Sequence, residues 1–170
     1  MNLNFMKKWP WGKETDFRYK VIKSVFAIDP TYNYSHLDLV GQTYAIGKCH
    51  TIRKGDRWKP GMKIHFRQWS GLPYKSEAPL FAPVVPCISV QKISIKYTKK
   101  DFVRIKIDGK LFHEQNIHDT PTGTKSFDKF IGLCLADGFD LYEGHLNFFK
   151  YFNKDFKGQI IHWTNLRYNG

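Results

Sequence analysis

Lys48 and Thr51 stand three residues apart in the run Lys48-Cys49-His50-Thr51-Ile52-Arg53. In a tight loop or helical turn that spacing brings an amine beside a hydroxyl. A Thr hydroxyl becomes a nucleophile once a base takes its proton, and a neutral Lys can be that base. Burial or nearby cations lower a Lys pKa toward neutrality, and Arg53, Lys54 and Arg57 follow closely in the chain. A plainer reading stands beside this one: Thr51 caps a turn, and Lys48 with Arg53 holds a phosphate as simple charge. In either case the planar fork of Arg53 suits a phosphate or a base edge.

These residues open a basic stretch. Lys59, Lys63, Arg67 and Lys75 continue it, with Asp56 the only acid over most of the run. Pro60-Gly61 predicts a tight turn. Beyond it Met62, Ile64 and Phe66 alternate with Lys63, His65 and Arg67, the period of a half-buried strand. Lys54, Arg57, Lys59, Lys63 and Arg67 are therefore expected to meet a phosphate backbone, which gives affinity without sequence preference. Trp58 and Trp69 are expected to stack on unpaired bases unless the core claims them.

Whole-chain properties agree with an acidic partner. The 170 residues carry a net charge of +12, which points first to RNA or a nucleotide and next to an acidic protein. A hydrophobic content of 42% with 16% aromatic residues excludes wholesale disorder. Cys49, Cys87 and Cys134 form no C-x-x-C pair, so a reducing, cytoplasmic setting without disulfides is expected. No metal or cofactor is expected: His50 and His65 are separated by the turn, and no HExxH, Walker or Rossmann pattern occurs. No membrane segment is expected either, and a monomer is assumed.

The elements that must position these residues are read as follows. Residues 1–18 form an irregular arm whose Trp9 and Trp11 dock on the domain or stack on a base. Tyr19 to Ile28, rich in β-branched and aromatic residues, predicts a strand, and 31–47 a loop with at most a short helix. Ser70 to Pro86 holds Gly71, Pro73, Pro79, Pro83 and Pro86 and predicts a long, functional or mobile loop. Cys87 to Tyr97 reads as a strand with a parity switch, hence a bulge or a barrel corner. Asp108-Gly109 predicts a type I′ hairpin with Val103, Ile105 and Ile107 inward. Ser126 is expected to cap a helix carrying Phe127, Phe130, Ile131 and Cys134 on one face, ended by Gly138. Asp140 and Glu143 predict a capping box for a second helix through Phe152, with His145 on its apolar stripe. A closing strand covers 159–164, with His162 outward.

Two stretches resemble the signature of the ASCH domain family. One is Lys48-x-x-Thr51-Ile52-Arg53 with its polar loop, Pro60-Gly61 and strand; the other is Ala136-Asp137-Gly138-Phe139-Asp140 ahead of a helix. The resemblance implies an α+β, PUA-like small mixed β-barrel with two or three flanking helices over residues 19–170, and an association with RNA. In the branch that resembles an acetylcytidine amidohydrolase, a Lys, a Thr three residues later and a distant Glu act together. Carried over, these are Lys48, Thr51 and, at the acid position, Asp137, which is one methylene shorter. The family also permits a ribonuclease. Three expectations follow: an RNA- or nucleotide-binding domain, a hydrolase on the same surface, and a protein-interaction module for an acidic partner.

Overall fold

The computed structural model describes residues 1–26, 47–98, 101–119 and 124–169. The chain is α+β. In order it runs β1 (Asn2–Phe5), α1 (Phe17–Phe26), β2 (His50–Lys54), β3 (Lys63–Gln68), β4 (Val85–Pro86), β5 (Ser89–Tyr97), β6 (Phe102–Ile107), β7 (Lys110–Asn116), α2 (Lys125–Ala136), α3 (Gly144–Tyr151) and β8 (Phe156–His162). Among the described residues the strands make two open sheets, β1-β3-β4 and β2-β8-β5-β6-β7, and do not close into a single barrel. No helix there is long and apolar enough to cross a membrane.

The first residues are part of the body. In Asn2-Leu3-Asn4-Phe5 the apolar side chains alternate with polar ones, and β1 pairs parallel to β3 with Leu3 opposite Phe66. Leu3, Phe5 and Trp9 are buried. Trp9 stacks on Phe139 at 4.7 Å, so the arm docks and its Trp9 is spent on the core.

Residues 17–26 are a helix, where composition predicts a strand. The buried positions Phe17, Val21, Ser24 and Val25 follow a period of 3.6, and that periodicity overrides the β-branched content. The loop expected over 31–47 lies outside the described residues up to 46. The 70–86 segment is locally tied rather than loose: Ser70 N–H donates to Glu77 O at 2.8 Å, Leu80 bridges Arg67, and Val85–Pro86 pair with β3.

In the large sheet the expected hairpin forms. Val103, Ile105 and Ile107 are buried, and Asp108 and Gly109 both have positive φ (50° and 84°), as a type I′ turn requires. The parity switch in β5 does not occur. Gln91, Ile93 and Ile95 are buried on one parity, β5 pairs with β8 without interruption, and the irregularity lies between Ile105 and Lys106 of β6.

The two late helices start elsewhere than predicted. Thr124, not Ser126, caps α2 by accepting the Phe127 N–H at 3.2 Å, while the Ser126 hydroxyl meets His113 Nδ1 at 2.8 Å. Phe127, Phe130 and Cys134 are buried as the periodicity requires. The capping box at Asp140 and Glu143 does not form: Glu143 makes no side-chain cap, and Asp140 is held by Lys13 (2.8 Å) and Lys20 (3.0 Å). His162 is fully buried rather than outward.

Candidate functional site

Lys48 reaches its position because three elements hold its backbone. Its N–H donates to Lys20 O of α1 at 2.9 Å, its carbonyl accepts from Ser24 Oγ at 2.6 Å, and the next N–H, of Cys49, donates to Ala136 O at the end of α2. The helix that composition concealed is thus what anchors the front of the motif. From there the side chain runs inward and is 1% exposed.

Asp137 arrives from the far end of the chain. It ends α2, and Gly138 (φ +96°) turns the backbone away immediately after it. A Cβ at Gly138 would lie 2.8 Å from the Phe17 ring and 3.2 Å from Lys48 Cδ, so only glycine allows this approach. Lys48 Nζ donates to Asp137 Oδ1 at 2.8 Å and also to the Asp137 carbonyl. The same Oδ1 accepts the Ile52 N–H at 3.1 Å. The ammonium further sits 4.7 Å from the centroid of the Phe17 ring.

Burial pulls the Lys48 pKa down to about 8 against the opposing pull of the Asp137 carboxylate. Burial acts to raise the Asp137 pKa, but Lys48 and His50 outweigh it and hold the carboxyl below its usual range. The pair is held as a salt bridge whose amine burial makes easier to deprotonate.

Thr51 and Arg53 line the same cavity as this pair, together with Asn4 and an aromatic wall that includes Phe139 and Tyr151. Its volume is ≈ 30 Å³, room for about one water. Thr51 is buried and lines the same space as Lys48. Arg53 donates from Nη2 to the Asn4 carbonyl at 2.8 Å and lies 5.2 Å from the Phe5 ring centroid. Among the described residues, Arg53 Nε and Asn4 Oδ1 are buried and hydrogen-bonded to nothing.

Behind the ion pair lies a buried neutral cluster. His50 Nε2 shares a hydrogen bond of 2.7 Å with the Tyr168 hydroxyl, and His50 Nδ1 is 3.6 Å from Asp137 Oδ1. Burial lowers the pKa of His50 and takes that of His162 to about 2, while burial raises that of Tyr168. Neither histidine is charged at neutral pH. No group of three or more His, Cys, Asp or Glu among the described residues is placed to hold a metal ion.

The other residues expected to bind RNA divide. Lys54, Arg57, Lys59 and Lys63 are exposed around the β2–β3 turn. Arg67 is half-buried and donates to Ala78 O at 2.8 Å, so its guanidinium is partly engaged. Trp69 is half-buried beside the exposed Tyr74, ring centroids 5.3 Å apart. Trp58 is not available for stacking: it is 3% exposed and belongs to the core. Its backbone is locked by Gln159, which accepts the Trp58 N–H at 3.0 Å and donates to its carbonyl at 3.1 Å.

Asn4 and Tyr151 escape sequence reasoning as site residues. The alternation in Asn2 to Phe5 is the one available signal for Asn4, since it marks a strand with Asn4 on the face opposite Leu3 and Phe5. Comparison with protein-family models, with curated proteins and with solved structures finds no match for this chain.

Proposed function

We propose that the cleft between β1, β2 and the Asp137 corner binds a nucleobase, as part of RNA or as a nucleotide. The observation that carries this reading is two unpartnered buried atoms on residues that line the cavity, the donor Arg53 Nε and the acceptor Asn4 Oδ1. Buried polar groups are normally hydrogen-bonded, and a base edge offers adjacent donors and acceptors of this kind. Aromatic walls suit a flat ring, and the buried Lys48 with the half-buried Arg53 against one carboxylate leave the cleft electropositive. A ring is larger than the ≈ 30 Å³ available, so binding moves the Asn4–Arg53 wall outward. The ASCH and PUA-like relationship belongs to the same proposal. It is supported by the meeting of the two motifs, since Lys48 and Asp137 touch across 89 residues of sequence.

Calorimetric titration with cytidine and acetylcytidine tests it. Wild-type protein binds at least one of them saturably, and Arg53→Ala weakens that binding about 10- to 100-fold, the cost of one charge-assisted hydrogen bond. Binding that Arg53→Ala leaves unchanged would sink the proposal.

A second reading, hydrolysis of an acyl group on the base, is favoured by the gathering of Lys48, Thr51 and Asp137 in one small cavity. The neutral amine of Lys48 takes the Thr51 proton, and Thr51 Oγ1 attacks the acyl carbonyl. The proton passes to the departing amine, and water releases the acyl group from Thr51. Asp137 holds the Lys48 amine in place. Mass spectrometry of acetylcytidine after incubation decides this reading: conversion to cytidine that Thr51→Ala abolishes supports it, and binding without conversion leaves a recognition domain.

A further inference from the structure

We propose that a second site, on the outer face of the large sheet, grips the phosphodiester backbone of a single-stranded nucleic acid through Lys92, Lys106 and Lys157. This goes beyond base recognition at the cleft and does not rest on it. The three lysines line a groove of ≈ 520 Å³ whose other wall is the turn at Gly55 and Asp56. Strand register places them around one residue: Ser94 of β5 lies opposite Lys157 of β8 on one side and Lys106 of β6 on the other. Adjacent strands are about 4.8 Å apart, so the two lysine backbones stand about 10 Å apart, with Lys92 about 7 Å along β5.

Nothing in the fold explains this clustering. Among the described residues none of the three lysines is ion-paired, while Arg104 on the same sheet is matched by Glu114 at 2.8 Å. Like charges gathered on one sheet face repel. Asp56, on the rim, is the one acid in the lining.

The wall is built to stay in place. The double hydrogen bond between Trp58 and Gln159 pins the β2–β3 connection over the sheet. Gly158 lets β8 run close against β2, since a Cβ there would fall 2.1 Å from the Arg53 carbonyl. No aromatic residue lines the groove, so it offers nothing on which a base can stack. Cations and a hydroxyl without aromatics recognise phosphate rather than base, which favours a backbone track over a nucleotide pocket.

The test is fluorescence anisotropy of a labelled 15-nucleotide oligouridine, about five times the length three contacts need, over a range of salt. Lys92→Gln/Lys106→Gln/Lys157→Gln changes exposed residues only and should fold as wild type by circular dichroism. At 0.1 M salt, about a Debye length of 10 Å, the triple variant should bind at least ~10-fold more weakly. Its plot of log K against log[salt] should be shallower by about 2, the loss of three phosphate contacts to a single strand. The proposal is overturned if the triple variant matches wild type in affinity and slope, or if polyglutamate displaces the oligonucleotide at equal charge. Wild-type protein that binds no oligonucleotide overturns it too, while nucleoside titration of the cleft still reads the other site independently.

Discussion

Lys48 and Lys92 carry the same ammonium in opposite settings. Lys48 is 1% exposed, rests on Asp137 and has its pKa pulled down to about 8 by burial. Lys92 is exposed on the outer face of β5, beside a groove it shares with Lys106 and Lys157. At the first site the protein bears the cost of desolvating a charge and gains a group whose protonation can change near neutral pH. At the second it leaves three charges hydrated and gains only field. Chemistry or tight recognition belongs with the first, and long-range, salt-sensitive attraction with the second.

The strongest way to break this contrast is to remove one partner of the buried pair. Asp137→Leu leaves the Lys48 amine in the interior without its carboxylate and removes the acceptor of the Ile52 N–H. It should cost about 3–5 kcal/mol in urea unfolding. Lys48→Met/Asp137→Leu should recover much of that loss, because neither charge then remains buried. If the double variant is as unstable as the single one, packing rather than charge governs the site.

Gly138→Ala should cost less, about 2 kcal/mol in thermal unfolding, from a positive φ together with a close approach to Phe17. The same Cβ would press on Lys48, so any base binding should weaken with it.

The pH dependence of stability separates the two partners. Asp137 titrates lower in the folded protein than its ordinary 3.8, so its contribution is complete above that value and is lost as pH falls from there through the lower folded value. Lys48 titrates near 8 folded against 10.5 unfolded, so between those values the unfolded chain binds more protons and stability from this group rises with pH. Both components should vanish in the double variant, which urea midpoints measured across pH will show. If Lys48 is a base for Thr51, the rate of acetylcytidine conversion should also climb with pH and level off above about 8.

The smallest effect is expected at the groove. Lys92→Gln, Lys106→Gln or Lys157→Gln should each change stability by less than about 0.5 kcal/mol. A larger loss would mean that these lysines support the fold and would blunt the comparison.

Several features were legible without coordinates. The alternation from Met62 to Arg67 marked β3, Asp108-Gly109 marked a hairpin, and the spacing of Phe127, Phe130 and Cys134 marked α2. Each depends on neighbours within a few residues, where local geometry and one buried face suffice. The partnership of Lys48 with Asp137 was legible only through resemblance, because no periodicity links residues 89 apart. Tyr19 to Ile28 reads as a strand by residue type, whereas the spacing of Phe17, Val21 and Val25 carries a helix, and a Trp in a basic loop such as Trp58 looks the same whether it faces solvent or core.

The sequence by itself determined the chain's basic charge, its α+β character, the hairpin and the helix faces, since these follow from composition and short-range pattern. Tertiary structure alone decided which cations are buried and which remain in water. It made Asn4 and Phe5 of β1 part of the cleft wall, and it gathered Lys92, Lys106 and Lys157 around Ser94 through register. The reason is physical: desolvation and strand pairing depend on what packs across from a residue, and that neighbour is distant in the chain.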